Sequence, residues 1–119
     1  VLEKIFSTLD TCQTPTLLAG DFNTEPTPEI MALAAEHEWE LANKTGAQQG
    51  SYKYRGRWNE LDWAMVINGE VSWKILAPDA LLENDTKWGG RKPKRSWMGH
   101  RFSFGYSDHL PVYFLLHGN

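Results

Sequence analysis

The sequence predicts an α/β (α+β) fold built on a mixed β-sheet. Three observations carry that prediction. Helix-spaced apolar stripes occur twice within the first 40 residues, short strand-like apolar runs dominate the remainder, and turns rich in Gly, Pro and Asn separate them. A chain of 119 residues suits one domain and can bury roughly two thirds of the surface it exposes when unfolded. With 41% hydrophobic and 23% charged residues, the composition is that of a folded chain, not of a disordered tail. No apolar run reaches the roughly 20 residues of a spanning helix, and no basic-then-apolar stretch follows Val1. Cys12 is the sole cysteine, which excludes an internal disulfide and a cysteine-rich zinc site. The start at Val1, without Met, raises the expectation that the chain was trimmed or cut from something longer.

The elements follow in order. Val1, Leu2, Ile5, Phe6 and Leu9 share one helical face and predict an opening helix. Residues 16–22, TLLAGDF, predict a buried strand with polar residues at its C-terminal end. Thr27 as N-cap, Pro28 as first helical residue and Glu29 near the positive end of the dipole start a second helix, whose stripe is Ile30, Leu33, Ala34 and His37. Gly46 and Gly50 flank a loop before a short strand at 51–54. Runs 61–67 and 70–76 flank Asn68-Gly69, which predicts a β-hairpin. Gly89-Gly90, Pro93 and Gly99 predict a loop over 87–101. A last strand runs over 111–116, with Pro111 tolerated at its first position.

Charge is unevenly spread. Residues 1–40 carry eight acids against one base, whereas residues 87–119 carry one acid against six bases. Those bases, Lys87, Arg91, Lys92, Lys94, Arg95 and Arg101, interleave with Trp88, Trp97, Phe102, Phe104 and Tyr106. Cations attract phosphates and aromatic faces stack on bases or sugars, so segment 87–106 could also serve a noncatalytic nucleic-acid-binding module.

Three polar clusters sit beside apolar strands, where burial is costly unless the groups are paired. Gly20-Asp21-Phe22-Asn23 offers a carboxylate and an amide at one strand tip. Asp62 stands within the apolar run 61–66 and needs an Arg, a His or N–H donors as partner. Ser107-Asp108-His109 places a carboxylate next to an imidazole just before the last strand. Carboxylates, an amide and a histidine at sheet ends suit metal-assisted phosphoryl hydrolysis: Asp oxygens fit a hard cation such as Mg2+, and His can contact a phosphoryl oxygen. Competing chemistries fit less well. The chain has no Gly-x-Ser-x-Gly, no P-loop and no dinucleotide-binding glycine turn, and His100, His109 and His117 lack zinc-ligand helix spacing.

Taken in order, LLAGDFNT at 17–24, Leu61-Asp62-Trp63 and YSDHLPV at 106–112 resemble the C-terminal motifs of the endonuclease/exonuclease/phosphatase (DNase I-like) superfamily of metal-dependent phosphoester hydrolases. The resemblance implies roles for each position. Asp21 would position or deprotonate the attacking water, and Asn23 would bind the scissile phosphate. His109 would contact that phosphate, Asp62 would orient the imidazole, and Asp108 would bind Mg2+ or Mn2+. Arg55, Arg57 and Trp58, together with Lys94 and Arg95, would lie where relatives contact substrate. The substrate would be a phosphate ester, as relatives hydrolyse DNA, RNA, phosphoinositides and other phospholipids; the basic loop over 87–101 tilts the expectation toward nucleic acid, with phosphatase activity as the other option.

Family enzymes carry an N-terminal half of similar size with a metal-binding Glu. The resemblance therefore implies that residues 1–119 are the C-terminal half of such a domain, inactive alone: half of a four-layered α/β sandwich, forming one mixed sheet with helices on one face. A bare apolar sheet face would then favour a homodimer, or a face protected by the basic aromatic segment. Membrane insertion is not expected, and compartment is left open.

Overall fold

The computed structural model describes residues 1–117. Helix α1 (Leu2–Leu9) fully buries Phe6 and half-buries Leu2, Ile5 and Leu9, as its apolar stripe requires. Strand β1 (Thr16–Asp21) follows, then α2 (Pro28–Glu36), where the Thr27 hydroxyl accepts the Ile30 N–H at 3.2 Å. That bond is the N-cap the sequence called for. Next come β2 (Glu40–Leu41), β3 (Asn43–Thr45), β4 (Tyr52–Tyr54) and β5 (Arg57–Asn59). The longer β6 (Asp62–Ile67) and β7 (Glu70–Ile75) lead through a 3-10 turn (Asp79–Leu81) to β8 (Leu82–Asn84) and β9 (Arg91–Pro93). Finally β10 (Trp97–Met98) and β11 (Arg101–Phe102) precede β12 (Val112–His117).

The class is mixed α+β, as expected, but the strands distribute differently. In place of one sheet there are two three-stranded sheets, β1-β6-β2 and β12-β7-β3, with three two-stranded hairpins beside them. Ala42 alone separates β2 from β3. One extended stretch, 40–45, thus pairs first with β6 antiparallel and then with β7 parallel. This arrangement corrects the expected hairpin over 61–76. Asn68 does adopt a left-handed turn conformation, φ 58°, yet β6 and β7 do not pair with each other. Strands β1 and β2 hydrogen-bond to β6, and β12 and β3 to β7, so both edges of each strand are already taken.

Five consecutive residues of β6, Trp63–Ile67, are buried, as befits a strand covered on both faces. Trp63 stacks on Phe22 at 3.9 Å between centroids, and its indole N–H donates to the Thr24 carbonyl at 2.8 Å. Truncating such a side chain to alanine costs about 3–5 kcal/mol. Both helices lie on one side of this sheet. Phe6 meets His37 and Trp39, while Ile30 and Ala34 border a groove shared with Trp39, Leu41, Trp63 and Met65.

Two further expectations are corrected. Strand β1 is only half-buried over Thr16–Leu18, and Ala19, Gly20 and Asp21 are exposed, because it is an edge strand with β6 as its one partner. Segment 87–101 is not plain loop. Asp85 closes a turn through its carbonyl, which accepts from Gly89 N–H, and its own N–H, which donates to Gly90, so the glycines that suggested a loop instead join β8 to β9. Gly99 likewise turns β10 into β11.

Candidate active site

The register of β1 on β6 places Asp21 directly opposite Asp62. Directly opposed like charges weaken a sheet unless neighbours offset them. Three groups do so here. The Asn23 N–H donates to Asp21 Oδ1 at 2.8 Å, and Asn23 reaches that position through a left-handed backbone, φ 55°, which asparagine tolerates. The Ser51 hydroxyl donates to Asp62 Oδ2 at 2.5 Å. The His109 Nδ1–H donates to the same oxygen at 2.7 Å, and its Nε2 stands 4.0 Å from Asp21 Oδ2. An imidazole thus lies between two carboxylates, with the proton on Nδ1 fixed by Asp62.

Local structure holds His109 there. Its N–H donates to Ser107 Oγ at 3.1 Å, Leu110 N–H donates to the Ser51 carbonyl at 2.7 Å, and an isolated bridge ties His109 to Tyr52. The Tyr52 ring lies 5.0 Å from the imidazole. Gly50 allows Ser51 to sit this deep: a Cβ on Gly50 would lie 2.6 Å from the Asn59 backbone. Burial grades across the site, with Asp62 16%, His109 27% and Asp21 49% exposed at the side chain. Asp62 therefore faces inward as the orienting carboxylate, and Asp21 faces solvent.

Donor atoms of Asp21, Asp62 and His109 lie within 4.8 Å of one another, a group that could hold a metal ion. Ser51 and His109 both occupy Asp62 Oδ2, and Asp62 is the more buried of the two carboxylates, so Asp21 is the one open to an ion from solvent. Mg2+ is commonly bound by one or two carboxylates with water and substrate phosphate completing the shell, so this donor set fits such an ion. Asp108 lies outside the group. It is exposed and borders a separate 270 Å3 cavity with Arg95, Trp97 and Tyr106.

The expected substrate-contact residues divide. Arg55 and Gly56, φ 49° and 81°, form the two-residue turn between β4 and β5, and Arg55 stacks over Tyr54. Arg57 reaches Glu25 at 3.4 Å, whereas Trp58 is half-buried against the core with the Lys53 ammonium over its ring. Lys94 is half-buried, its N–H donating to the Leu81 carbonyl. Arg95 borders a 430 Å3 cavity with Tyr52, Lys53, Tyr54, Arg55, Lys87 and Trp88. This cavity adjoins the imidazole through Tyr52.

Ser51, Tyr52, Lys53 and Asp85 escaped the sequence reading. Lys53 Nζ and Asp85 Oδ2 form a buried ion pair at 3.0 Å, and Lys53 also donates to the carbonyls of Gly89 and Arg91. The N–H of Trp88 holds the Asp85 carboxyl below the usual carboxylate range; burial opposes this, and Lys53 adds to it. A signal existed only for Lys53, which alternates with Tyr52 and Tyr54. For Ser51, nothing in its neighbourhood points to Asp62.

Residues 13–118 match the sequence profile of the endonuclease/exonuclease/phosphatase family. No curated protein and no solved structure matches the chain. The profile spans the motifs at 17–24, 61–63 and 106–112 and the cluster they build; on that match the chain belongs to the endonuclease/exonuclease/phosphatase family, and the kind of function that goes with it is phosphoester hydrolysis.

Proposed function

We propose that these residues serve metal-dependent hydrolysis of a phosphate ester, of nuclease or phosphatase type. The observation that carries the reading is the imidazole of His109 held between Asp62 and Asp21. Asp62 holds Nδ1–H and turns Nε2 toward the exposed side of the site, where the imidazolium form would donate its Nε2–H to a phosphoryl oxygen. Asp21 orients the attacking water and accepts its proton, and the Asn23 amide binds the scissile phosphate alongside. Asp21 would also hold Mg2+ or Mn2+, with water and the substrate phosphate completing the shell; Asp108, expected as a metal ligand, stands outside this group. A divalent cation bound there supplies charge neutralisation for the phosphoryl oxygens. DNA or RNA is the favoured substrate, because the exposed aromatics Trp97, Phe102, Phe104 and Tyr106 lie among basic residues. The same residues favour a second reading, a noncatalytic nucleic-acid-binding module over 87–106.

The motif order and the exposed edge of β1 support reading residues 1–119 as the C-terminal half of a larger hydrolase domain, inactive alone. The test is therefore made on the natural protein that carries these residues. Phosphodiester cleavage with Mg2+ or Mn2+ should vanish with EDTA and fall about 10²- to 10⁴-fold in His109→Ala and in Asp21→Ala. Undiminished cleavage in either variant refutes the assignment. Metal-independent, salt-sensitive binding without cleavage would favour the second reading.

A further inference from the structure

We infer that the 430 Å3 cavity between the β4–β5 and β8–β9 hairpins is a subsite for a flanking nucleotide of a single-stranded nucleic acid, with its phosphate among Arg55, Lys87 and Arg95 and its base against Trp88. The inference rests on the hydrolase reading for its catalytic context and goes beyond it by naming where the substrate strand continues.

The cavity is a built feature. The buried Lys53–Asp85 pair, with Lys53 bonded to the Gly89 and Arg91 carbonyls, pins the β8–β9 turn onto β4. Trp88 packs over the β4–β5 turn closely enough that a Cβ on Gly56 would lie 3.0 Å from its own Cβ. A preformed wall spares the ligand the cost of ordering it. The lining carries five cations, Lys53, Arg55, Lys87, Lys92 and Arg95, against one carboxylate, Asp85, which Lys53 neutralises. In a chain of formal charge −3 this concentration is local.

Among the described residues Arg55, Lys87 and Arg95 enter no ion pair, whereas Lys92 stands 3.8 Å from Glu83. Among the described residues the buried Arg95 Nε also finds no hydrogen-bond partner. Trp88 is half exposed, and Tyr52 connects the cavity to the His109 imidazole at 5.0 Å. Phosphate attraction alone would suit a polyphosphate or an inositol phosphate equally well. Aromatic walls beside the cations favour a base joined to its phosphate.

The test measures anisotropy of a 5′-fluorescein-labelled oligothymidylate of six residues, in EDTA, across a salt series. One phosphate neutralised on a single strand predicts a slope of log K against log salt of about −0.7. Arg95→Ala should bring the slope toward zero, and Arg55→Glu, in an exposed turn, should weaken binding at least as much. Trp88→Ala should cost about 5- to 150-fold in affinity without changing the slope, the range for a lost base stack. Its affinity for inositol hexakisphosphate, which has no base, should not change. Equal oligonucleotide binding by wild type, Arg55→Glu and Trp88→Ala overturns the subsite, as does a Trp88→Ala loss that is the same for both ligands.

Cleavage of bis-p-nitrophenyl phosphate by the natural protein, with no flanking nucleotide to engage the cavity, reports on the hydrolase reading separately. Cleavage with insensitive oligonucleotide binding refutes the subsite alone. Sensitive binding without any cleavage refutes the hydrolase reading alone.

Discussion

Ser51→Ala probes the site without touching either residue that faces substrate. Ser51 is fully buried, and its hydroxyl donates to Asp62 Oδ2. Bonds to charged groups contribute about 1.5–3 kcal/mol, against about 0.5–1.5 for neutral pairs. The backbone bonds that hold residue 51, its N–H to the Asn59 carbonyl and its own carbonyl from Leu110, survive the substitution. The loss is thus confined to the side-chain bond. At roughly 2.1 cal/mol/K per residue, unfolding a chain of this length carries an entropy of about 0.25 kcal/mol/K near the midpoint. Ser51→Ala should therefore lower Tm by about 6–12 °C in a calorimetric scan at pH 7. In an Asp62→Asn background the same substitution removes a neutral bond and should cost about half as much, so the double-mutant cycle should show a coupling of about 1 kcal/mol or more. A fall in Tm under 2 °C, or equal cost in both backgrounds, would refute the claim that Ser51 anchors a charged Asp62. On the proposed assignment, in which Asp62 orients the imidazole and does not bind substrate, Ser51→Ala in the natural protein should lower kcat for phosphoester cleavage while leaving KM nearly unchanged.

Two further outcomes follow from the structure. The carboxyl of Asp85 is held below its ordinary value, so its contribution to stability is complete above the unfolded-state pKa of about 3.9 and is lost as pH falls through the lower folded value. Asp85→Asn should then flatten the drop in Tm between pH 5 and pH 2, and an unchanged drop would show that the Lys53–Asp85 pair does not titrate with folding. Strand β12 is an edge strand that leaves Leu115 and Leu116 exposed, the kind of edge that pairs with another chain. Light scattering after size exclusion should report a homodimer at high concentration that Leu115→Lys dissociates; a monomeric wild type would exclude this mode of association.

Much of the fold was legible because its signals are local. The Thr27 cap with Pro28 behind it, the stripe of α1 and the apolar run of β1 each depend on residues within one or two turns, and the structure carries each of them. The hairpin over 61–76 was misread because Asn68-Gly69 specifies a turn and says nothing about which strands occupy the edges of β6 and β7. The glycines at 89, 90 and 99 were misread in the opposite direction. They mark turns, and a turn between short strands looks like a loop when pairing partners cannot be seen.

By itself the sequence determined the residue types of the site and their order: Asp21 with Asn23 at one strand tip, Asp62 within a strand, and Asp108 with His109 before the last strand. That was enough to name the family, because carboxylate and imidazole chemistry at strand ends is written in short motifs. Only the tertiary structure decided that Asp21 and Asp62 are opposed across β1 and β6, that His109 lies between them, and that buried Ser51 supplies the further donor to Asp62. It also separated Asp108 from that cluster and joined Lys53 to Asp85 beneath a basic cavity. The physical reason is range. Capping, periodicity and turn preference act over a few residues, whereas pairing of residues 41 to 88 positions apart, such as Asp21 with Asp62 and with His109, is fixed by strand register and burial.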